Sequence, residues 1–313
     1  MRINRHDKRF SITFPITTKS LIDSFRTIGQ LYPIIVKREG ELFTVIDGFR
    51  RLEAANTLGF KEIKVIVVPD LMTTMLDYYL QHLYAIIATR LLNEIEKAQI
   101  IRTLSREYAI PDEEIQKKYA PLIDSILFPH YKEVYDIVLG LPDELKMYLY
   151  KKNVRLQNLM NLWNTGYNAI FEIIKIAMTL QLGGNKIKIF SAFLEEISFR
   201  EKLSIIDIVS HNDIQEILLY DGMSGPQKWE HLFRLLHRIR YPEWSKIEKE
   251  LQRDITNMKL PDNLKFSYPE YLEGDELEFR MYFRSPQELK SLGGKILTIA
   301  DSDDIRKIFQ WFE

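Results

Sequence analysis

Apolar residues recur at helical spacing early in the chain, with Leu21, Ile22, Phe25 and Ile28 on one face. Thr17, Thr18 or Ser20 supplies a cap at the front of that helix, and Gly29 a left-handed exit. The period then drops to two over residues 34–37 and 42–46, which predicts two strands joined by a tight turn at Gly40. Helical spacing returns after Asp47-Gly48, where Leu52, Ala55 and Leu58 lead to Gly59, and a further strand is predicted over 63–68. From 71 to about 260 the pattern is helical nearly throughout. Asn93 with Glu96 forms a capping box for a helix running to Glu107, and Pro111 opens the next. Breaks are predicted at Pro121, Pro129, Gly140 to Pro142, Gly166, Gly183-Gly184, Gly222 to Pro226, Pro242 and Pro261. The tail alternates again at Leu277, Phe279, Met281 and Phe283, then predicts a helix from Ser285-Pro286, a strand over 295–299 and a last helix over 302–312. The class is therefore α+β, with an α/β unit over 1–70, helical regions over 71–165 and 166–260, and a small α/β module over 261–313.

Composition narrows the chemistry. With 313 residues, 46% hydrophobic and 28% charged, the chain has the balance of an ordinary globular protein. It contains no cysteine, which removes disulfides, thiolate nucleophiles and cysteine-ligated metals. Its six histidines show no ligand spacing, so no metal site is predicted. No segment reads as a signal peptide or a membrane span, because the longest apolar run, 171–182, is short and contains Glu172 and Lys175. A cytoplasmic location without membrane contact is the expectation. The formal net charge is −1. Residues 1–70 nevertheless carry 12 basic against 8 acidic side chains, whereas residues 261–313 carry 7 against 11. A polyanion site is expected near the front.

The junction "IDGFRRLEAANTLGF" is where that excess becomes specific, since Arg50 and Arg51 open a helix directly after the Asp47-Gly48 turn. A helix opening presents unpaired N–H groups and the positive end of the dipole, which favours an anion there and disfavours cations. Arginines in that position fit a phosphate, which the amides and the guanidinium forks hold together while glycine allows close approach. The plain alternative is a solvated first turn in which both arginines pair with Asp47 and Glu53.

Four segments in order, a helix, "GQLYPIIV" with its hairpin, "IDGFRRLEAANTLGF" and "IKVIVV", resemble the ParB/sulfiredoxin-like superfamily, and more narrowly ParB-type partition proteins. The similarity continues through "LLNEIEKAQIIRTL", "YAIPDEEIQKKY" and the stretch 134–162, so it covers roughly residues 10–165. The resemblance implies a nucleotide site, with CTP the expected ligand, with or without Mg2+. Gly48, Arg50 and Arg51 would hold phosphates, Gln30, Pro33 and Ile34 would lie near base and sugar, and Arg90 would stand for the third phosphate motif. The chain departs from the family in having Phe49 after the glycine, Glu53 before the alanine and Tyr32 before the hairpin proline. Around Arg90, "LYAIIATRLLN" lacks the carboxylates that metal-assisted hydrolysis requires. At most a slow CTP hydrolase is expected, with no catalytic residue assigned. Sulfiredoxin chemistry is excluded because its nucleophilic cysteine has no counterpart.

The resemblance also implies DNA as a partner, a helix-turn-helix-like segment in the middle region and a homodimer. Candidate DNA contacts there are Lys117, Lys118, His130, Lys132, Lys151 and Lys152. Residues 112–160 hold 7 basic and 8 acidic side chains, which is meagre for phosphate attraction. A second basic stripe, Arg234 and Arg238 with His231, lies on a later amphipathic helix. Trp163, Trp229, Trp244 and Trp311 stand among apolar neighbours and are expected in the core. Two rival functions remain open: a small-molecule phosphotransferase of the same fold, and a non-catalytic interaction scaffold.

Overall fold

In the computed structural model the described residues are 2–4, 7–16, 19–69, 74–268 and 277–310. They form an α+β chain in two compact units, 1–233 and 234–313. The Thr17 and Thr18 caps, the side chain of Trp244, and Trp311 lie outside the described residues.

The first unit opens with a sheet of β1 (Arg2–Ile3), β2 (Ile34–Glu39), β3 (Leu42–Asp47) and β4 (Val65–Val67), in the order β1-β3-β2-β4. β2 and β3 form the expected antiparallel hairpin with Val36 opposite Val45, while β1 and β4 add in parallel at the two edges. Alternation buries Ile34 and Val36 together with Phe43, Val45 and Leu52. Leu52 comes from α2 (Phe49–Thr57), which packs beside α1 (Lys19–Ile28). Phe25 of α1 meets Phe60, just past α2, with ring centroids 5.7 Å apart. Gly29 leaves α1 at φ +72°, the left-handed exit its sequence position predicts.

Helices then take over. In α3 (Met75–Ile87) the residues Tyr78, Tyr79, His82, Leu83 and Ile86 are buried, and α4 (Glu94–Arg106) starts on the Asn93–Glu96 capping box. Pro121 does not break the chain. Helix continues from α5 (Asp112–Glu114) through a π-helical turn, Ile115–Tyr119, into α6 (Ala120–Leu122). The Ala120 N–H bonds to the carbonyl of Ile115, five residues back, so the widened turn absorbs a proline that can neither donate nor clear a tight turn. After α7 (Tyr131–Gly140), α8 (Asp143–Lys151) and a 3-10 segment (Leu156–Leu162) come α9 (Gly166–Thr179), α10 (Gly184–Glu201), α11 (Ile205–Val209), α12 (Asn212–Leu219) and α13 (Gly225–Arg240). The Tyr148 hydroxyl lies 2.8 Å from the carbonyl oxygen of Ala177 and 2.6 Å from that of Leu182, so its single hydrogen is shared between them and fastens α8 to the end of α9. Trp229 is buried as expected, but Trp163 is 39% exposed and stacks on His130. No helix among the described residues is long and apolar enough to cross a membrane.

The second unit holds α14 (Pro242–Asn257), a two-stranded antiparallel sheet of β5 (Leu264–Ser267) and β6 (Glu278–Met281), α15 (Pro286–Ala300) and α16 (Asp303–Phe309). The predicted strand over 295–299 is instead the last turns of α15. Leu292, Ile296 and Ile299 fall on one helical face and pack with Leu251, Met258, Ile305 and Ile308. Tertiary burial outweighs the strand preference of a short run rich in β-branched residues.

Candidate functional site

The loop between β3 and α2 places the arginines. Gly48 takes φ +103°, a left-handed conformation that a side chain resists, and a Cβ there would lie 3.2 Å from Arg51 Nε, Arg51 Nη2 and Ile34 Cγ1. The turn brings the start of α2 over the start of β2. Arg51 Nη1 donates to the Pro33 carbonyl at 2.8 Å and Nη2 to Asp47 Oδ2 at 2.7 Å. Two of the five donors of its guanidinium are thereby used, and its plane is fixed over the loop. Gly48 is the N-cap of α2 and makes no side-chain cap bond to its first-turn amides.

The predicted nucleotide residues come together in part. Gly48, Arg51, Pro33 and Ile34 form one cluster, with half-buried Arg50 next to it in α2. Ile34 is fully buried and serves as wall and core. Gln30 is used inside the chain: its Nε2 donates to the carbonyls of Tyr32 and Lys64, and its Oε1 accepts from Lys64 N at 2.6 Å. It clips the Gly29–Pro33 turn to the chain entering β4. Arg90 stands apart, in a bidentate pair with Glu96 at 2.7 Å for both contacts. A cleft of about 570 Å³ lies along α2, but its lining, which includes Leu52, Ala55 and Phe60, does not reach Gly48 or either arginine.

Sequence reading passed over His82. It is buried on α3 with Nδ1 3.9 Å from Asp47 Oδ1, on the carboxylate that also holds Arg51. Its signal was a polar residue on the buried 78-79-82-83-86 face of a helix. Burial lowers its pKa below the ordinary 6.5, while the Asp47 charge and a hydrogen bond with the Phe10 backbone oppose this and the Arg90 charge adds to it. The unfolded chain therefore takes up this proton first. Stability from neutral His82 is fully present above pH ~6.5 and is lost as pH falls toward the lower folded value. Melting temperatures followed from neutral pH downward should fall more steeply for wild type than for His82→Gln; parallel curves would show that His82 does not contribute.

The helix-turn-helix-like region has few cations to spare. Lys117 pairs with Glu113 at 2.6 Å, Lys118 with Glu114 at 3.4 Å, and Lys132 with Asp112. His130 stacks on Trp163 at 3.7 Å between ring centroids and lies 3.9 Å from Glu133. Lys151 and Lys152 are exposed at the end of α8, and neither has an ion pair among the described residues. Arg234 and Arg238 are exposed on α13.

The hairpin with its parallel edge strand β4, the left-handed glycine and the arginine-headed helix all fall within one stretch that resembles a known family. Residues 4–82 match the family model of the ParB N-terminal domain. The chain is 32% identical over 100 residues to a probable chromosome-partitioning protein ParB of Coxiella burnetii, in an alignment covering 31% of this chain and 32% of that protein. It is 30% identical over 97 residues to the chromosome-partitioning protein ParB of Myxococcus xanthus, again over 31% of this chain and 32% of the relative. The match thus spans about a third of the length of the curated relatives. Two crystal structures of C-terminally truncated ParB from Caulobacter crescentus also overlap it. The one complexed with CTP-gamma-S has 20% identity and a TM-score of 0.23 over 56% of this chain and 92% of that one. The one complexed to the centromeric parS site has 19% identity and a TM-score of 0.31 over 61% and 93%. The matched stretch contains Gly48, both arginines and His82.

Proposed function

We propose that the ParB N-terminal domain binds a nucleotide through its phosphates at Gly48, Arg50 and Arg51, and that the chain is a DNA-associated, partition-type protein gated by that nucleotide. The observation that carries this reading is the uncapped start of α2 behind a left-handed glycine, with Arg51 held in place over it. The loop amides, the helix dipole and three remaining guanidinium donors then converge on one small volume, a combination suited to phosphate oxygens. CTP is the nucleotide that the resemblance implies, and any Mg2+ would be held mainly by the nucleotide's own phosphates. Arg90, already satisfied by Glu96, acts in this reading as a brace rather than a phosphate ligand. Slow or absent hydrolysis fits a loop whose nearest carboxylate, Asp47, is engaged by Arg51.

DNA contact through α7 and its neighbours draws on a small supply of free charge, since Lys117, Lys118 and Lys132 are paired internally. Breaking such exposed pairs costs little, roughly 0 to 1 kcal/mol each. Affinity of one protomer for duplex is therefore modest, and a homodimer raises it through effective concentration. The same internal pairing is what the interaction-scaffold alternative would show in place of DNA contact.

The test is a calorimetric titration of CTP into the full chain, repeated on Gly48→Ala, followed by duplex binding in a salt series with and without CTP. Wild type should bind CTP. Gly48→Ala should bind it at least several-fold more weakly, because the left-handed conformation costs a side chain about 1 to 2 kcal/mol and the Cβ crowds Arg51. The duplex slope of log K against log salt should be shallow, about −3 to −5. No binding of any nucleotide by wild type would sink the nucleotide reading, and no duplex binding at low salt in any nucleotide state would leave the scaffold.

A further inference from the structure

A second cleft lies far from the Gly48 loop in sequence, where the 3-10 segment packs on α10. Its volume is about 480 Å³, within the roughly 300 to 1,000 Å³ of small-molecule sites. Its lining combines two cations, Arg155 and Lys186, with four carboxamides, Asn153, Gln157, Asn158 and Asn185, and contains no acidic side chain. Among the described residues none of these six side chains has an ion pair or hydrogen bond. This contrasts with the lysines at positions 117, 118 and 132, each neutralised by a carboxylate. Gly183 and Gly184 complete the lining, and a Cβ on Gly184 would come 2.6 Å from Asn158 Nδ2, so the absent side chain leaves room for that amide.

We propose that this cleft is a binding site for a small phosphate ester of nucleotide size, separate from the loop at Gly48. A concave, acid-free lining with an unpaired guanidinium and an unpaired ammonium attracts an anion, and the guanidinium fork matches phosphate oxygens in bidentate fashion. The four carboxamides supply both donors and acceptors, which suits the hydroxyls and ring edges of the rest of an ester better than a bare inorganic ion. Lys151, Lys152 and Lys188, neighbours of the lining in sequence, add positive charge that raises the local anion concentration.

The experiment uses the full chain carrying Arg50→Ala and Arg51→Ala, which removes the arginines of the N-terminal loop, with pyrophosphate, CTP and a short duplex as separate probes in calorimetry. CTP should bind with one site per chain and more tightly than pyrophosphate. Adding Arg155→Ala with Lys186→Ala should weaken it by about tenfold or more. Gly184→Ala, which keeps every charge but displaces the Asn158 amide, should also weaken it measurably. Absence of CTP binding in the starting variant overturns the proposal. So does binding that falls when the cations are removed but is indifferent to both Gly184→Ala and Asn158→Ala, because that is diffuse charge attraction. Duplex binding that depends on Arg155 and Lys186 while CTP does not bind assigns the cleft to a nucleic-acid backbone instead, and likewise overturns it.

Discussion

Glu96→Ala should lower the stability of the chain by about 3 kcal/mol or more, in the range found when one partner of a buried ion pair is removed. The Glu96 side chain is fully buried, and both its oxygens are fully used. Oε1 accepts from Phe14 N at 2.9 Å and from Arg90 Nη2 at 2.7 Å, and Oε2 accepts from Asn93 N at 3.0 Å and from Arg90 Nη1 at 2.7 Å. One carboxylate thus starts α4, anchors the Phe14 segment 82 residues away in sequence and holds Arg90. Truncation strands two backbone N–H groups and a guanidinium. Arg90 is 38% exposed and recovers part of its loss from water, which places the expectation at the low end of the range. Urea unfolding should show a lower midpoint with an unchanged slope, and thermal melting a fall of roughly 2 to 4 °C per kcal/mol. Glu96→Gln keeps the shape but presents a donor to donors, so it should fall between. A loss below about 1 kcal/mol for the alanine variant would mean that the pair behaves as an exposed one.

Glu96 also shows what could be read from the chain and what could not. The capping box is a spacing of three residues, so Asn93 and Glu96 announced the start of α4. The Arg90 pairing is equally local, six residues apart, yet the sequence offers Arg90 first as a phosphate ligand because a family motif falls beside it. Local periodicity likewise reveals β2, β3, α1, α2 and the left-handed exit at Gly29. Contacts that close over long stretches left no such trace: Arg51 to Pro33 across 18 residues, Gln30 to Lys64 across 34, and the His82–Asp47 approach. Two misreadings came from judging a residue without its packing. Pro121 is a breaker in isolation, but a π turn accommodates it, and residues 295–299 carry strand-forming side chains that a helix buries against α14 and α16. The Arg155–Lys186 cleft is assembled from segments some thirty residues apart, each of which reads alone as an ordinary solvated turn.

Arg50→Ala with Arg51→Ala should weaken CTP binding by about 3 to 6 kcal/mol if both guanidinium groups reach phosphate, since hydrogen bonds to charged groups contribute ~1.5 to 3 kcal/mol each. The two single variants separate direct contact from support. Arg51 already braces the loop through the Pro33 carbonyl and Asp47, so its removal takes away a phosphate donor and also loosens the glycine turn. Arg50, half-buried next to it in α2, reports whether the second guanidinium also reaches phosphate. Arg51→Lys retains the charge but cannot span Pro33 and Asp47 together, and it should bind CTP more weakly than wild type and more tightly than Arg51→Ala. Melting should move little in any of these variants, because the Arg51–Asp47 pair is partly exposed at both ends and such pairs contribute under about 1 kcal/mol. A loss of affinity with an unchanged melting temperature is therefore the signature of phosphate contact. Calorimetry that finds the same number of CTP sites, bound as tightly, in the double variant as in wild type would remove the phosphate site from the start of α2 and leave the Arg50–Arg51 pair as a solvated first turn.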